Sequence, residues 1–163
     1  MILVDARPVT AYVALGANLG DARSTVRQAA QDLGALPQTR LVRVSSLYRT
    51  APIDASGPDY INAVAEVATT LAPQALLTEL QRLELAAGRE RPYVNAPRTL
   101  DLDILLYGDI TLDSPALTIP HPRMQMRGFV LQPLAEIAPH RVDAAALAAV
   151  QGQGVERLPG ATG

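Results

Sequence analysis

The chain has 163 residues, with 14 basic and 16 acidic side chains and a net charge of −2, so no global positive field recruits nucleic acid. It contains no cysteine, which excludes disulfides, thiolate nucleophiles and Cys-ligated metal centres. Every basic residue is arginine, which also excludes a Walker-type phosphate lysine, a protein-kinase strand lysine and a Schiff-base lysine.

The length fits a single domain, read as residues 1–163 with its core over residues 10–140. No apolar run approaches the ~18 residues of a transmembrane helix, and no basic segment precedes a long apolar stretch as in a signal peptide. A soluble cytoplasmic protein is the expectation.

Residues 10–15 read as a buried strand bounded by Gly16. Asn18-Leu19-Gly20-Asp21 is turn chemistry, and Asp21 suits a helix N-cap. Ala22, Val26, Ala29, Ala30 and Leu33 follow at helical spacing. Residues 40–48 read as a second strand with Val42 and Val44 on one face. Residues 51–58 form a loop rich in turn formers. Residues 60–69 alternate as a third strand, with Ile61, Ala63, Ala65 and Val67 opposite Asn62, Val64 and Glu66. Pro73 opens a second helix, whose apolar stripe is Leu76, Leu77, Leu80 and Leu83. Residues 89–97 form a polar loop, and residues 99–107 a fourth strand.

The order β-α-β-β-α-β predicts an α+β, ferredoxin-like sandwich, with two helices on one face of an antiparallel sheet. Beyond it come an additional C-terminal strand near residues 110–112 and short helices over residues 129–137 and 143–150. Residues 151–163, with four glycines, read as a loose tail.

Four constellations bear chemistry. In Arg98-Thr99-Leu100-Asp101-Leu102-Asp103-Ile104, strand alternation sends Leu100, Leu102, Ile104 and Leu106 into the core and Asp101 and Asp103 to the other face. Two neighbouring carboxylates repel unless a cation sits between them, and magnesium takes one or two carboxylates plus substrate phosphates. A bare Asp-x-Asp is more often a solvated strand face. Asp is disfavoured in strands, however, so two on one strand favour function. Arg89, Arg91, Arg98, Arg123 and Arg127 crowd one quarter of the chain, and guanidinium forks match phosphate oxygens. Each alone is an ordinary surface charge. His121 lies between Pro120 and Pro122, which stiffen its backbone as a preorganised donor. Asn62 offers a donor and an acceptor to a heterocycle edge, although a polar residue on a solvated strand face explains it as well. Gly16-Ala17-Asn18-Leu19-Gly20 lacks the spacing of a dinucleotide fingerprint.

These residues, with Leu15-Gly16-Ala17-Asn18, Tyr48-Arg49-Thr50-Ala51-Pro52, Tyr60-Ile61-Asn62, Gln81-Arg82-Leu83-Glu84, Pro120-His121-Pro122-Arg123 and Arg127-Gly128-Phe129, resemble the 6-hydroxymethyl-7,8-dihydropterin pyrophosphokinase family, in family order over residues 10–140. The resemblance implies the same ferredoxin-like fold and a reaction in folate biosynthesis, in which pyrophosphate passes from ATP to the pterin hydroxymethyl group and AMP leaves. It implies two magnesium ions on Asp101 and Asp103, with Arg89 and Arg98 clamping phosphates as catalytic residues. It implies an ATP site of Gln81, Glu84, Arg89, Arg91, Arg98, Ile104, Thr118, His121 and Arg127. The implied pterin pocket is Gly16, Thr50, Ala51, Ile53, Tyr60, Asn62 and Phe129, with Phe129 stacked on the ring. The implied partners are these two small molecules, with no nucleic acid and no membrane, for a monomeric enzyme. The chain departs from the family where Ala51 replaces a proline, where Ala116 replaces an arginine, and where residues 89–97 lack a tryptophan. A ferredoxin-like RNA- or amino-acid-binding module and a metal-dependent phosphoester hydrolase are the alternatives. The first would need exposed sheet aromatics and a basic face, and the chain has one Phe and five Tyr.

Overall fold

A computed structural model describes residues 7–51, 58–87 and 100–159. Its elements run β1 (Val9–Ala17), α1 (Ala22–Gly34), β2 (Thr39–Val44), β3 (Tyr48–Thr50), β4 (Tyr60–Thr69), α2 (Pro73–Ala87), β5 (Asp101–Tyr107), β6 (Leu112–Asp113), β7 (Thr118–Ile119), α3 (Gly128–Ile137), α4 (Ala144–Ala149) and β8 (Glu156–Arg157). The Asp21 carboxylate accepts the Ser24 N–H at 3.2 Å and starts α1. Pro73 opens α2, where its missing N–H costs nothing.

The sheet runs β5-β1-β4, with β2 and β3 sharing the far edge of β4 and β8 beyond β3. All these pairings are antiparallel, which is the ferredoxin-like order expected. The single strand read over residues 40–48 is in fact two. β2 pairs with one half of β4 and β3 with the other. Ser45 stitches the corner: its N–H donates to the Val64 carbonyl at 2.9 Å, and its hydroxyl accepts the Val64 N–H at 3.0 Å. The predicted extended piece is β6, which pairs with β7 apart from the main sheet.

Apolar layers cover both faces. Val13, Leu15, Ile61, Ala63 and Leu102 are buried with Val26 and Leu33 of α1 and Leu76 and Leu80 of α2. Tyr12, Val64, Leu105 and Leu106 are buried on the other face with Val130, Leu131 and Leu134 of α3.

Two strand faces differ from simple alternation. Tyr12 pairs with Leu106 and Val13 with Ile104, so Leu105 is a bulge. Leu105 and Leu106 therefore both join the α3 layer, and Tyr107 takes the place expected for Leu106. A second bulge at Val42 leaves Leu41 as the β2 side chain packed on the core and turns Val44 outward.

Glu136 of α3 gathers the corner between β2 and β3. Its carboxylate accepts the Ser46 N–H at 3.0 Å, the Ser46 hydroxyl at 3.0 Å and the Tyr48 hydroxyl at 2.7 Å. Arg157 of β8 approaches the same carboxylate at 3.4 Å.

Of the loose tail expected over residues 151–163, residues 151–159 instead pack on the fold, and residues 160–163 lie outside the described residues. Val150 is buried in the α3 layer and Leu158 in the α1/α2 layer. Between them β8 pairs with β3, and the Leu158 N–H donates to the Leu47 carbonyl at 2.9 Å. The apolar anchors are too far apart to show as a periodic pattern, and glycine-rich composition dominates the sequence reading.

Candidate active site

The sheet register places chemistry in one row. Gly16 in the central β1 pairs with Asn62 of β4 on one side and with Asp101 of β5 on the other. One step along, Ala14 pairs with Val64 and with Asp103. Because Leu100, Leu102, Ile61 and Ala63 belong to the α1/α2 core, alternation turns Asp101, Asp103, Asn62 and Gly16 to the α3 side. The small residues Ala14 and Gly16 leave a trough between the carboxylates and the amide. A Cβ on Gly16 would come within 3.1 Å of the Asn62 side-chain oxygen, so the row closes this tightly only with glycine there.

A cavity of about 810 Å³ lies over this trough, within the range of small-molecule sites. Ten expected residues line it: Gly16, Thr50, Ala51, Tyr60, Asn62, Asp101, Asp103, His121, Arg127 and Phe129. Asn62 is buried, and its amide nitrogen donates to the Thr50 hydroxyl at 3.1 Å, which fixes the rotamer of both. The Arg127 guanidinium lies 5.5 Å from the centre of the Phe129 ring, so one aromatic wall carries a cation beside it.

His121 is tied down at three points. Its N–H donates to the Leu105 carbonyl at 3.0 Å, its carbonyl accepts the Met124 N–H at 3.3 Å, and its Nδ1 accepts the Arg123 N–H at 3.1 Å. An accepting Nδ1 leaves Nε2 as the protonated nitrogen of the neutral ring. Burial pushes the His121 pKa down; Arg127 and Arg123 push the same way, and Asp103 opposes them. The neutral ring with Nε2–H is therefore the resting form near pH 7, a donor available to an anionic ligand.

Other expected residues lie elsewhere. The Ile104 side chain is buried in the α1/α2 core, on the wrong face for the cavity, so only its backbone is left for a ligand. Glu84 accepts the Leu102 N–H of β5 at 2.8 Å. Gln81 sits on α2 and Thr118 on β7, and neither is among the described residues lining the cavity. Arg89, Arg91, Arg98 and Ile53, with the loop expected over residues 89–97, lie outside the described residues. The cavity also takes Ala14, Leu105, Met126, Val130, Gln153 and Val155, which the sequence did not single out. Ala14 was accessible to strand alternation with Gly16; Gln153 and Val155 carried no sequence signal.

Among the described residues no group of three or more His, Cys, Asp or Glu forms a metal cage. Two carboxylates two residues apart on one strand face do fit a hard divalent cation whose remaining ligands come from a phosphorylated substrate. No described helix is long and apolar enough to cross a membrane.

Residues 12–139 match the family model for 7,8-dihydro-6-hydroxymethylpterin-pyrophosphokinase (HPPK). A 2-amino-4-hydroxy-6-hydroxymethyldihydropteridine pyrophosphokinase of Pseudomonas aeruginosa is 49% identical over 157 residues, covering 92% of this chain and 97% of its own. The protein of the same name from Haemophilus influenzae is 47% identical over 131 residues, covering 80% and 82%. Among solved structures, an HPPK-DHPS in complex with substrates superposes with a TM-score of 0.66 at 13% identity over 82% of this chain. A wild-type Plasmodium falciparum HPPK-DHPS with pteroate superposes with a TM-score of 0.62 at 14% identity over 82%. At that identity the likeness concerns the fold, and the chain spans 40% of the length of each of these larger proteins. By the family match and the identity to these relatives, the chain belongs to the HPPK family.

Proposed function

We propose that this chain transfers pyrophosphate from ATP to 6-hydroxymethyl-7,8-dihydropterin in folate biosynthesis, acting as a cytoplasmic monomer. The observation that carries the reading is the row Asn62–Gly16–Asp101 across three adjacent strands, which sets an amide and a carboxylate on either side of a glycine floor. Asn62, braced by Thr50, reads the pterin's amide-like edge, while Gly16 lets the ring lie close to the backbone. Tyr60, Ala51 and Phe129 supply the apolar walls.

The pterin hydroxymethyl oxygen attacks the β-phosphorus of ATP. A new O–P bond forms, the bond from that phosphorus to the α–β bridging oxygen breaks, AMP leaves with that oxygen, and the hydroxyl proton passes to solvent. Positioning and charge stabilisation dominate chemistry of this kind. Asp101 and Asp103 hold magnesium, two ions in our reading, which when bound with the nucleotide neutralises the phosphate charge. His121 donates its Nε2–H and Arg127 its guanidinium to phosphate oxygens. Arg89, Arg91 and Arg98 as phosphate ligands, and Ile53 in the pterin pocket, rest on the family resemblance alone. Gln81, Glu84, Ile104 and Thr118 are assigned around the nucleotide on the same basis.

The test is AMP release from ATP and magnesium that depends on added 6-hydroxymethyl-7,8-dihydropterin. Release of AMP only with the pterin present is expected. ATP consumption indifferent to the pterin, or inorganic phosphate as product, would overturn the assignment.

A further inference from the structure

We propose that Gln153, on the strap of residues 150–158, is a positioning residue that sets the turn carrying Arg127 and Phe129, and so governs the affinity of the cavity for both substrates. The inference rests on the pyrophosphokinase reading for its substrates, but not for its geometry. Arg127 is the N-cap of α3 and makes no side-chain cap bond, so the first N–H of the helix needs a partner from elsewhere. Gln153 supplies it: its side-chain oxygen accepts the Gly128 N–H at 2.8 Å. Its amide nitrogen donates to the Met126 carbonyl at 2.9 Å. One amide group therefore clamps both sides of Arg127, and Phe129 is the next residue along.

The approach is built in from both sides. A Cβ on Gly128 would meet the Val150 carbonyl oxygen and a Val155 methyl at 3.1 Å each, and the Gln153 side-chain oxygen at 3.3 Å. Glycine at 128 is thus what lets the strap lie against the turn. The strap is fastened at each end, by Val150 in one core layer and Leu158 in the other. An ion pair of 2.6 Å between Arg49 and Glu156 and the pairing of β8 with β3 add to the second anchor. Gln153 and Val155 themselves form part of the cavity wall. A solvent-exposed residue on a strap fastened at both ends by other side chains has little global stability to supply. Its effect falls on the two side chains it places.

Gln153→Leu removes both bonds at an exposed position, and Gly128→Ala pushes the strap and the Gln153 oxygen away while leaving the Gln153 side chain itself unchanged. In both variants amide exchange at residues 127–129 should quicken by about tenfold, as for loss of a local protecting contact. KM for the pterin and for ATP should each rise by about tenfold, with kcat within about twofold and, for Gln153→Leu, an unchanged melting temperature. A purely structural role would instead lower the melting temperature and leave both KM values of the folded enzyme alone. Unchanged exchange in Gln153→Leu overturns the clamp whatever the enzyme's activity. Faster exchange with both KM values unchanged overturns its part in substrate binding. A wild-type protein that makes no pterin-dependent AMP overturns the pyrophosphokinase reading separately, and the exchange experiment still decides the clamp.

Discussion

The carboxylate of Glu136 ties α3 to the corner between β2 and β3, so a small change there should be felt in stability. It receives Ser46 through backbone and hydroxyl and Tyr48 through its phenol, while Arg157 is a mostly exposed partner. Exposed pairs contribute ~0–1 kcal/mol, so Arg157 is left out of the sum. Deleting a hydrogen bond to a charged acceptor costs ~1.5–3 kcal/mol. Glu136→Gln keeps the shape, and because the Ser46 N–H can only donate, the amide oxygen stays with Ser46 and the N–H₂ faces Tyr48, so the Tyr48 O–H loses its charged acceptor at about 2 kcal/mol. Tyr48→Phe loses the other side of the same bond at a similar cost. The double variant should therefore be less destabilised than the sum, with a coupling of ~1–2 kcal/mol. At ~2–4 °C per kcal/mol for a domain of this size, each single variant should melt about 4–8 °C lower. The assay is urea unfolding of the four proteins. Additive single effects, with coupling below ~0.3 kcal/mol, would show that the 2.7 Å bond between Tyr48 and Glu136 is not a stabilising one.

The same pair has an alkaline signature. Burial first, and then the Glu136 hydrogen bond and charge, hold the Tyr48 pKa well above the ordinary phenol value. The folded state therefore keeps a proton that the unfolded state gives up. This stability is whole below pH ~10 and is lost as pH rises beyond it. Tyr48→Phe should flatten that alkaline decline.

Three further outcomes are expected. His121 has a depressed pKa, so the unfolded chain takes up its proton first and stability falls as pH drops below ~6.5. His121→Gln should remove up to ~1.4 kcal/mol per pH unit from the slope between pH 7 and 5, and parallel wild-type and variant slopes would refute this. Asn62→Ala should raise KM for the pterin by at least about tenfold through the lost edge contact, while binding of a non-hydrolysable ATP analogue stays within about twofold. An equal loss for both ligands would mean that Asn62 acts through the fold and not as a pterin ligand. Asp103→Ala should reduce turnover by at least about a thousandfold with an unchanged melting temperature, since its side chain is exposed. An active Asp103→Ala enzyme would remove the metal assignment.

Much of this was legible where one physical signal dominated. The alternation over residues 60–69, the helix-opening Pro73 and the Asp21 cap coincide with the observed elements. Asp101 and Asp103 were assigned correctly to the face away from the α1/α2 core, because Leu100 and Leu102 declare that core. Alternation failed at Leu105 and Val42, where the pairing partner decides the count and a bulge flips every residue beyond it. The placement of Ile104 at the nucleotide came from resemblance, whereas the strand phase sends its side chain to the core. Gln153 and Val155 were invisible for another reason. Their position depends on where Val150 and Leu158 find pockets in two separate layers, a tertiary outcome with no local pattern.

The divided edge strand also bears on how molecules meet. β8 lies along β3, but among the described residues β2 pairs only with β4 and leaves its outer rim to water. That rim is bent at Val42 and carries the exposed guanidiniums of Arg40 and Arg43, the latter held by Glu66 at 3.2 Å. A short, bent and charged rim is a poor template for a strand from a second molecule. The corner that gives Ser45 and Glu136 their contacts thus also interrupts the long straight border along which sheets of neighbouring molecules would stack.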